Sequence, residues 1–151
     1  MKFPGKILAR FFVVVSLLAA TSAHKDPGAH EFWCSADVVH LDKQTFQEKT
    51  SDGNVWFIKF FAPWCGHCKS LVPVWKGLGE EFRSNKQVKI AHVDCTIDKE
   101  VCTKAQVRTF PTLIVYYGGD AFRHFTGPRT HNDLIKFLEE SLADLTAETT
   151  S

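Results

Sequence analysis

The sequence predicts an α/β fold, a central mixed sheet flanked by helices on both faces. Strand-like and helix-like patterns alternate from Asp37 onward, the signature of strand–helix–strand units and hence of a parallel sheet portion. The stretch VWFIKFF, 55–61, is nearly continuous apolar, as a strand must be when both sheet faces are covered. Late in the chain, Gly118-Gly119 separates two strand-like runs, which adds an antiparallel hairpin at the edge.

The elements follow in chain order. Asp37-Val38-Val39-His40-Leu41 reads as a short strand, and Asp42 is placed to cap a helix through Phe46 to about Lys49. Ser51-Asp52-Gly53-Asn54 is a turn before the strand at 55–61, which Pro63 ends. From Cys65 the period becomes helical: Leu71, Val72, Trp75, Leu78 and Phe82 recur at three and four. Pro73, lacking an N–H, is expected to kink that helix. A strand at 88–93, a short helix within 96–106, the strand 112–117 and its return 121–125 come next. The last helix is expected from Thr130 to about Leu142, with a flexible tail at 146–151. These elements form one domain, 35–145, after an arm at 24–34 with no clear period.

The first 23 residues are expected to be removed. Lys2, Lys6 and Arg10 precede the apolar run FFVVVSLLAA, and TSA supplies small residues, the three parts of a secretory signal peptide with cleavage after Ala23. The run is too short to span a bilayer, although a signal-anchor has the same outline. The whole chain has 18 Lys+Arg and 17 Asp+Glu; the leader takes three basic residues and no acid, leaving 15 against 17, a net −2. Such a balance points to neither nucleic acid nor anionic membrane as a partner.

All five cysteines, Cys34, Cys65, Cys68, Cys95 and Cys102, lie in the mature chain. A secreted context permits disulfides, and an odd number leaves one cysteine outside any intramolecular set of pairs. Cys65-Gly66-His67-Cys68 sits where a strand gives way to a helix. At a helix N-terminus, unsatisfied N–H groups and the helix dipole favour an anion, which lowers the Cys65 thiol pKa and supplies the attacking thiolate. Cys68, one turn on and facing the same way, can close a disulfide with Cys65 and release a trapped mixed disulfide. His67, when protonated, would stabilise the thiolate further. A structural disulfide or a zinc half-site would use the same residues, but zinc needs a second ligand pair, and CTIDKEVC spaces Cys95 and Cys102 poorly for one.

APWCGHCKSLVPVW, 62–75, resembles the active-site stretch of the protein disulfide isomerase family, whose catalytic domains have the thioredoxin fold. VRTFPTLIVY, 107–116, is similar to that family's cis-proline loop, with Pro111 at the cis position, and Phe125-Thr126-Gly127 followed by Arg129 fits its closing motif. The likeness covers roughly residues 35–142. It implies that Cys65 and Cys68 are the redox pair and that Pro111 packs against them beside extended substrate chain. It further implies that Arg108 swings toward the resolving cysteine and that Trp64 and Phe110 form an apolar collar for unfolded peptide. Against these stand a solvated Arg108 and ordinary packing of the two rings. The same resemblance implies a structural disulfide between Cys95 and Cys102. Cys34, beside Phe32 and Trp33, is open to a link between two chains, to a partner, or to burial.

Two positions depart from the family. A buried Glu, assigned there to proton transfer at the resolving cysteine, is replaced by Lys59, and the Lys that often partners it is replaced by His92. A protonated Lys59 would favour the Cys68 thiolate, a desolvated one could accept its proton, and one whose amine reaches water would do neither.

The functional expectation is a thiol–disulfide oxidoreductase or isomerase acting on protein cysteines in the endoplasmic reticulum lumen or outside the cell. The chemistry needs no cofactor and no metal; glutathione, or an oxidase or reductase, recycles the dithiol. A dedicated reductase with few substrates and a non-enzymatic covalent adaptor are the rival expectations. The terminal TAETTS does not resemble a retention signal, so retention and secretion both stay open.

Overall fold

The computed structural model describes residues 32–148. The expected leader, most of the arm and the last residues of the tail lie outside the described residues. The elements are β1 (Val39–His40), α1 (Phe46–Thr50), β2 (Val55–Phe61), α2 (Gly66–Phe82), β3 (Val88–Asp94), α3 (Lys99–Lys104), β4 (Thr112–Tyr117), β5 (Asp120–His124) and α4 (His131–Glu148). They form one five-stranded sheet in the order β1-β3-β2-β4-β5. β1 and β2 run parallel to β3, while β4 is antiparallel to both β2 and β5. The sheet is mixed, as the sequence predicts.

β2 is the central strand, and every residue of it is buried. Its alternation sends Val55 and Phe57 to the face covered by α2 and α4, where they meet Trp75, Leu78, Leu134 and Leu138. Trp56, Ile58 and Phe60 point to the opposite face, against α1 and α3. Neighbouring strands continue the rule, with Val88 and Ile90 on the first face and Ala91 and Val93 on the second. Lys59 and Phe61 therefore belong to the α2 side, at the carboxyl end of β2. His92 is opposite Lys59 in the parallel register and Leu113 is opposite it on β4.

Three boundaries differ from the sequence expectation. β1 is two residues long, and Asp42 does not cap a helix directly. Its carboxylate accepts hydrogen bonds from the Gln44 and Thr45 N–H groups, closing a turn, and α1 starts only at Phe46. α4 runs through Glu148, past the expected end at Leu142, so 146–148 are helix rather than tail. Leu145 is buried and prolongs the stripe of Leu134 and Leu138, which gives that extra turn something to pack. α2 continues through Pro73 without a break.

Candidate functional site

The site is assembled where β2 ends. Ala62 is buried, Cys65 donates its N–H to the Ala62 carbonyl at 3.0 Å, and its own carbonyl accepts the Lys69 N–H at 3.1 Å, the first bond of α2. Cys65 is thus the N-cap, with φ −80° and ψ 120°. Cys65 and Cys68 are both reduced; Cys65 is 9% exposed and Cys68 not at all. Cys65 sits at the rim and Cys68 beneath it, packed with Phe61 and Ala62 and touched by Trp33 and Phe110.

The two thiols are driven apart. Burial works against ionising Cys65, but the backbone N–H and thiol of Cys68, the His67 N–H and the Arg129 charge outweigh it, so its pKa lies below the usual thiol value of 9.0. Cys68 is pushed up to about 12, by burial first and then by the neighbouring Cys65, with the Lys59 charge pulling the other way. Cys65 is thus the more readily ionised thiol of the two, and Cys68 is the one that holds its proton.

The loop before β4 faces this pair. The Phe110–Pro111 bond is cis, and the Phe110 carbonyl accepts a hydrogen bond from the Cys65 thiol at 3.5 Å. Arg129 donates to the Pro111 carbonyl at 3.4 Å. Phe110 meets the Trp64 ring edge-on at 5.9 Å, and Trp64 is 71% exposed. His67 is exposed at the edge of a shallow cleft it shares with Ser70, Leu71 and Arg129. Gly66 is exposed, with open space where a Cβ would stand.

Most of the residues singled out in the sequence meet here. Cys65, Gly66, His67, Cys68, Trp64, Phe110 and Pro111 surround one dithiol. Arg108 is exposed and makes no hydrogen bond or ion pair among the described residues. The arginine whose charge reaches Cys65 is Arg129. Cys95 and Cys102 form the disulfide that the resemblance implies, which also removes them as a second zinc pair. Cys34 is partly buried, close enough for its charge to act on Lys59.

Lys59 does not reach water. It is 1% exposed, and its amine lies 5.5 Å from the Trp33 ring, 5.3 Å from Phe61 and 5.7 Å from Trp75. His92 is equally buried, 5.4 Å from Phe61. Trp33 was invisible as a site residue because its segment shows no period; it reaches the site by stacking on Phe61 at 4.5 Å. Only its apolar ring, next to an odd cysteine, hinted at burial.

Residues 37–140 match the thioredoxin family model. The chain belongs to the thioredoxin family. Among relatives of this family, it is 33% identical over 138 residues to "Protein disulfide isomerase-like 5-1" of Oryza sativa subsp. japonica, covering 91% of this chain and 88% of that one. It is 34% identical over 106 residues to "Protein disulfide-isomerase 5-1" of Arabidopsis thaliana, covering 70% and 73%. Among solved structures, the first two thioredoxin domains of Saccharomyces cerevisiae Eps1p superpose with a TM-score of 0.65 at 30% identity, over 72% of this chain and 42% of that one. A thioredoxin domain that carries a dithiol on a helix N-terminus, with one thiol lowered and one raised, is a thiol–disulfide oxidoreductase.

Proposed function

We propose that this oxidoreductase acts on protein cysteines, reshuffling substrate disulfides or oxidising substrate thiols to disulfides as an isomerase does. The observation that carries the reading is the split dithiol: Cys65 favoured as thiolate at the rim, Cys68 buried as thiol behind it. The Cys65 thiolate attacks a substrate disulfide and expels one substrate sulfur. Cys68 then displaces the second, closing the 65–68 disulfide. Run backwards, a substrate thiolate opens that disulfide and leaves oxidised.

Protein rather than a small thiol is favoured as substrate by the surface around Cys65. Trp64 offers an exposed aromatic face beside the cis Phe110–Pro111 loop, and together they form a surface for a peptide to lie against. Glutathione or a dedicated oxidase or reductase would reset the pair. The leader pattern at 1–23 and the Cys95–Cys102 disulfide support a place in the secretory pathway, and no helix among the described residues is long and apolar enough to cross a membrane.

Turnover on scrambled ribonuclease tests this reading, with the reduction potential of the dithiol measured alongside. Regain of ribonuclease activity and a potential near roughly −180 mV are expected. A potential near about −270 mV, with reduction of insulin but no reshuffling, would replace it with a dedicated reductase. Cys68→Ser should accumulate mixed disulfides with substrate proteins; stable adducts from the wild type, without turnover, would make it an adaptor.

A further inference from the structure

Resolution of a mixed disulfide requires Cys68 to lose a proton in a place where water does not reach it. We propose that Lys59 takes that proton, and that the cage of Trp33, Phe61 and Trp75 holds the ammonium so formed. This rests on the exchange reading above and adds to it a proton acceptor and the part of the arm that supports it.

Three observations converge. First, the amine sits 5.3–5.7 Å from three ring centroids, the range in which an aromatic face attracts a cation. Second, among the described residues no carboxylate forms an ion pair with it, so a charged Lys59 depends on the rings and on any thiolate nearby. Third, burial brings the Lys59 pKa down to about 8, and the group whose charge acts on it most is Cys68. A neutral amine is therefore within reach near physiological pH, beside the one thiol that needs a base.

Other groups lie around Lys59. From α2 come Cys68 and Lys76, whose positive charge disfavours the ammonium; from the arm comes Cys34. From β3 comes His92, in register with Lys59 and backed by His40 at 5.3 Å. From β4 comes apolar Leu113.

The step balances without an outside oxidant. The Cys68 S–H bond breaks and an N–H bond forms on Lys59 Nζ. The Cys68 thiolate attacks Cys65 Sγ, the bond from Cys65 to the substrate sulfur breaks, and that sulfur leaves with the electron pair and takes a proton from solvent. In the oxidising direction the ammonium returns its proton to Cys68 as Cys68 is expelled. Lys59 and Cys68 thus share one proton over part of the pH range, and their titration belongs to the pair.

Single-turnover resolution of a Cys65–peptide mixed disulfide, followed from pH 6 to 10, tests this. The wild-type rate should rise and level off with an inflection near 8, the value set for Lys59 by burial. Lys59→Met should resolve about a hundredfold slower at pH 7.5 and lose the inflection, the usual order for a missing general base. Lys59→Arg keeps a charge but cannot accept a proton, so it should be slow as well. Alkylation of Cys65 should be retained in both, showing a folded site. Trp33→Leu should move the inflection lower by about half a unit to one unit, the worth of one cation–π contact. Wild-type rate and inflection in Lys59→Met would overturn the inference, as would full activity in Lys59→Arg, and an unmoved inflection in Trp33→Leu would remove the cage. Failure of the wild type to resolve at all would instead overturn the exchange reading.

Discussion

Cys65 and Cys68 have the same side chain and opposite shifts in acidity, and position alone separates them. Cys65 gains the N–H groups at the start of α2, while Cys68 is enclosed one turn deeper. Iodoacetamide labelling of Cys65 should therefore titrate with a midpoint below 9.0, and in Cys65→Ser the remaining Cys68 should stay unlabelled at neutral pH. Lys59 makes a stability prediction. Its folded pKa, about 8, is below its ordinary 10.5, so the folded state binds fewer protons between these values and stability rises with pH across that window. The charged form burdens the fold by about 3 kcal/mol at most below pH 8. In a Cys65→Ser background, which removes the overlapping Cys65 titration, Lys59→Met should be the more stable protein at pH 7 and should lack the rise between pH 8 and 9. Urea unfolding at each pH measures it. The dithiol was legible in four residues because helix-cap chemistry is local. The cage was not, because Trp33 meets Lys59 only through the fold.

At the scale of elements, α2 carries the site and is held by close contact with the segment that leads into β1. Gly79 lies on its buried side, where a Cβ would stand 2.8 Å from the Asp37 carbonyl oxygen and 2.9 Å from a Val38 methyl. Glycine to alanine normally helps a helix by about 1 kcal/mol, yet here Gly79→Ala should destabilise by about 1–3 kcal/mol in denaturant titration, since backbone must move. The hairpin between β4 and β5 depends on glycine for a different reason: Gly118 and Gly119 have φ of +61° and +90°. Strands and helices were readable from periods of two and 3.6, and all the expected elements formed. Their ends were not. The short β1, the late start of α1 at Phe46 and the extra turn of α4 were each decided by a contact: the Asp42 turn or burial of Leu145.

Over the whole molecule, the sheet brings together residues far apart in sequence: Trp33 from the arm, Cys65 and Cys68 from α2, Pro111 from the loop before β4, and Arg129 from the loop before α4. The Cys95–Cys102 disulfide ties β3 to α3, which leads into the loop that faces Cys65; the Val107 N–H donates to the Cys102 carbonyl at 2.9 Å. Replacing both cysteines by alanine should cost roughly 2–3 kcal/mol of unfolding free energy, small because the loop is short, and guanidinium titration under oxidising conditions would measure it. The sequence by itself determined the fold class and the Cys65–Cys68 pair at the start of a helix, because helix periodicity, strand burial and a Cys-x-x-Cys at a strand–helix junction are local patterns; the cis position of Pro111 came from the family resemblance. Only the tertiary structure decided that the Arg129 charge reaches Cys65, and that Lys59 is sealed among three rings rather than extended to water. Charge and burial at a buried point depend on every chain segment that converges there, and no window of sequence contains them all.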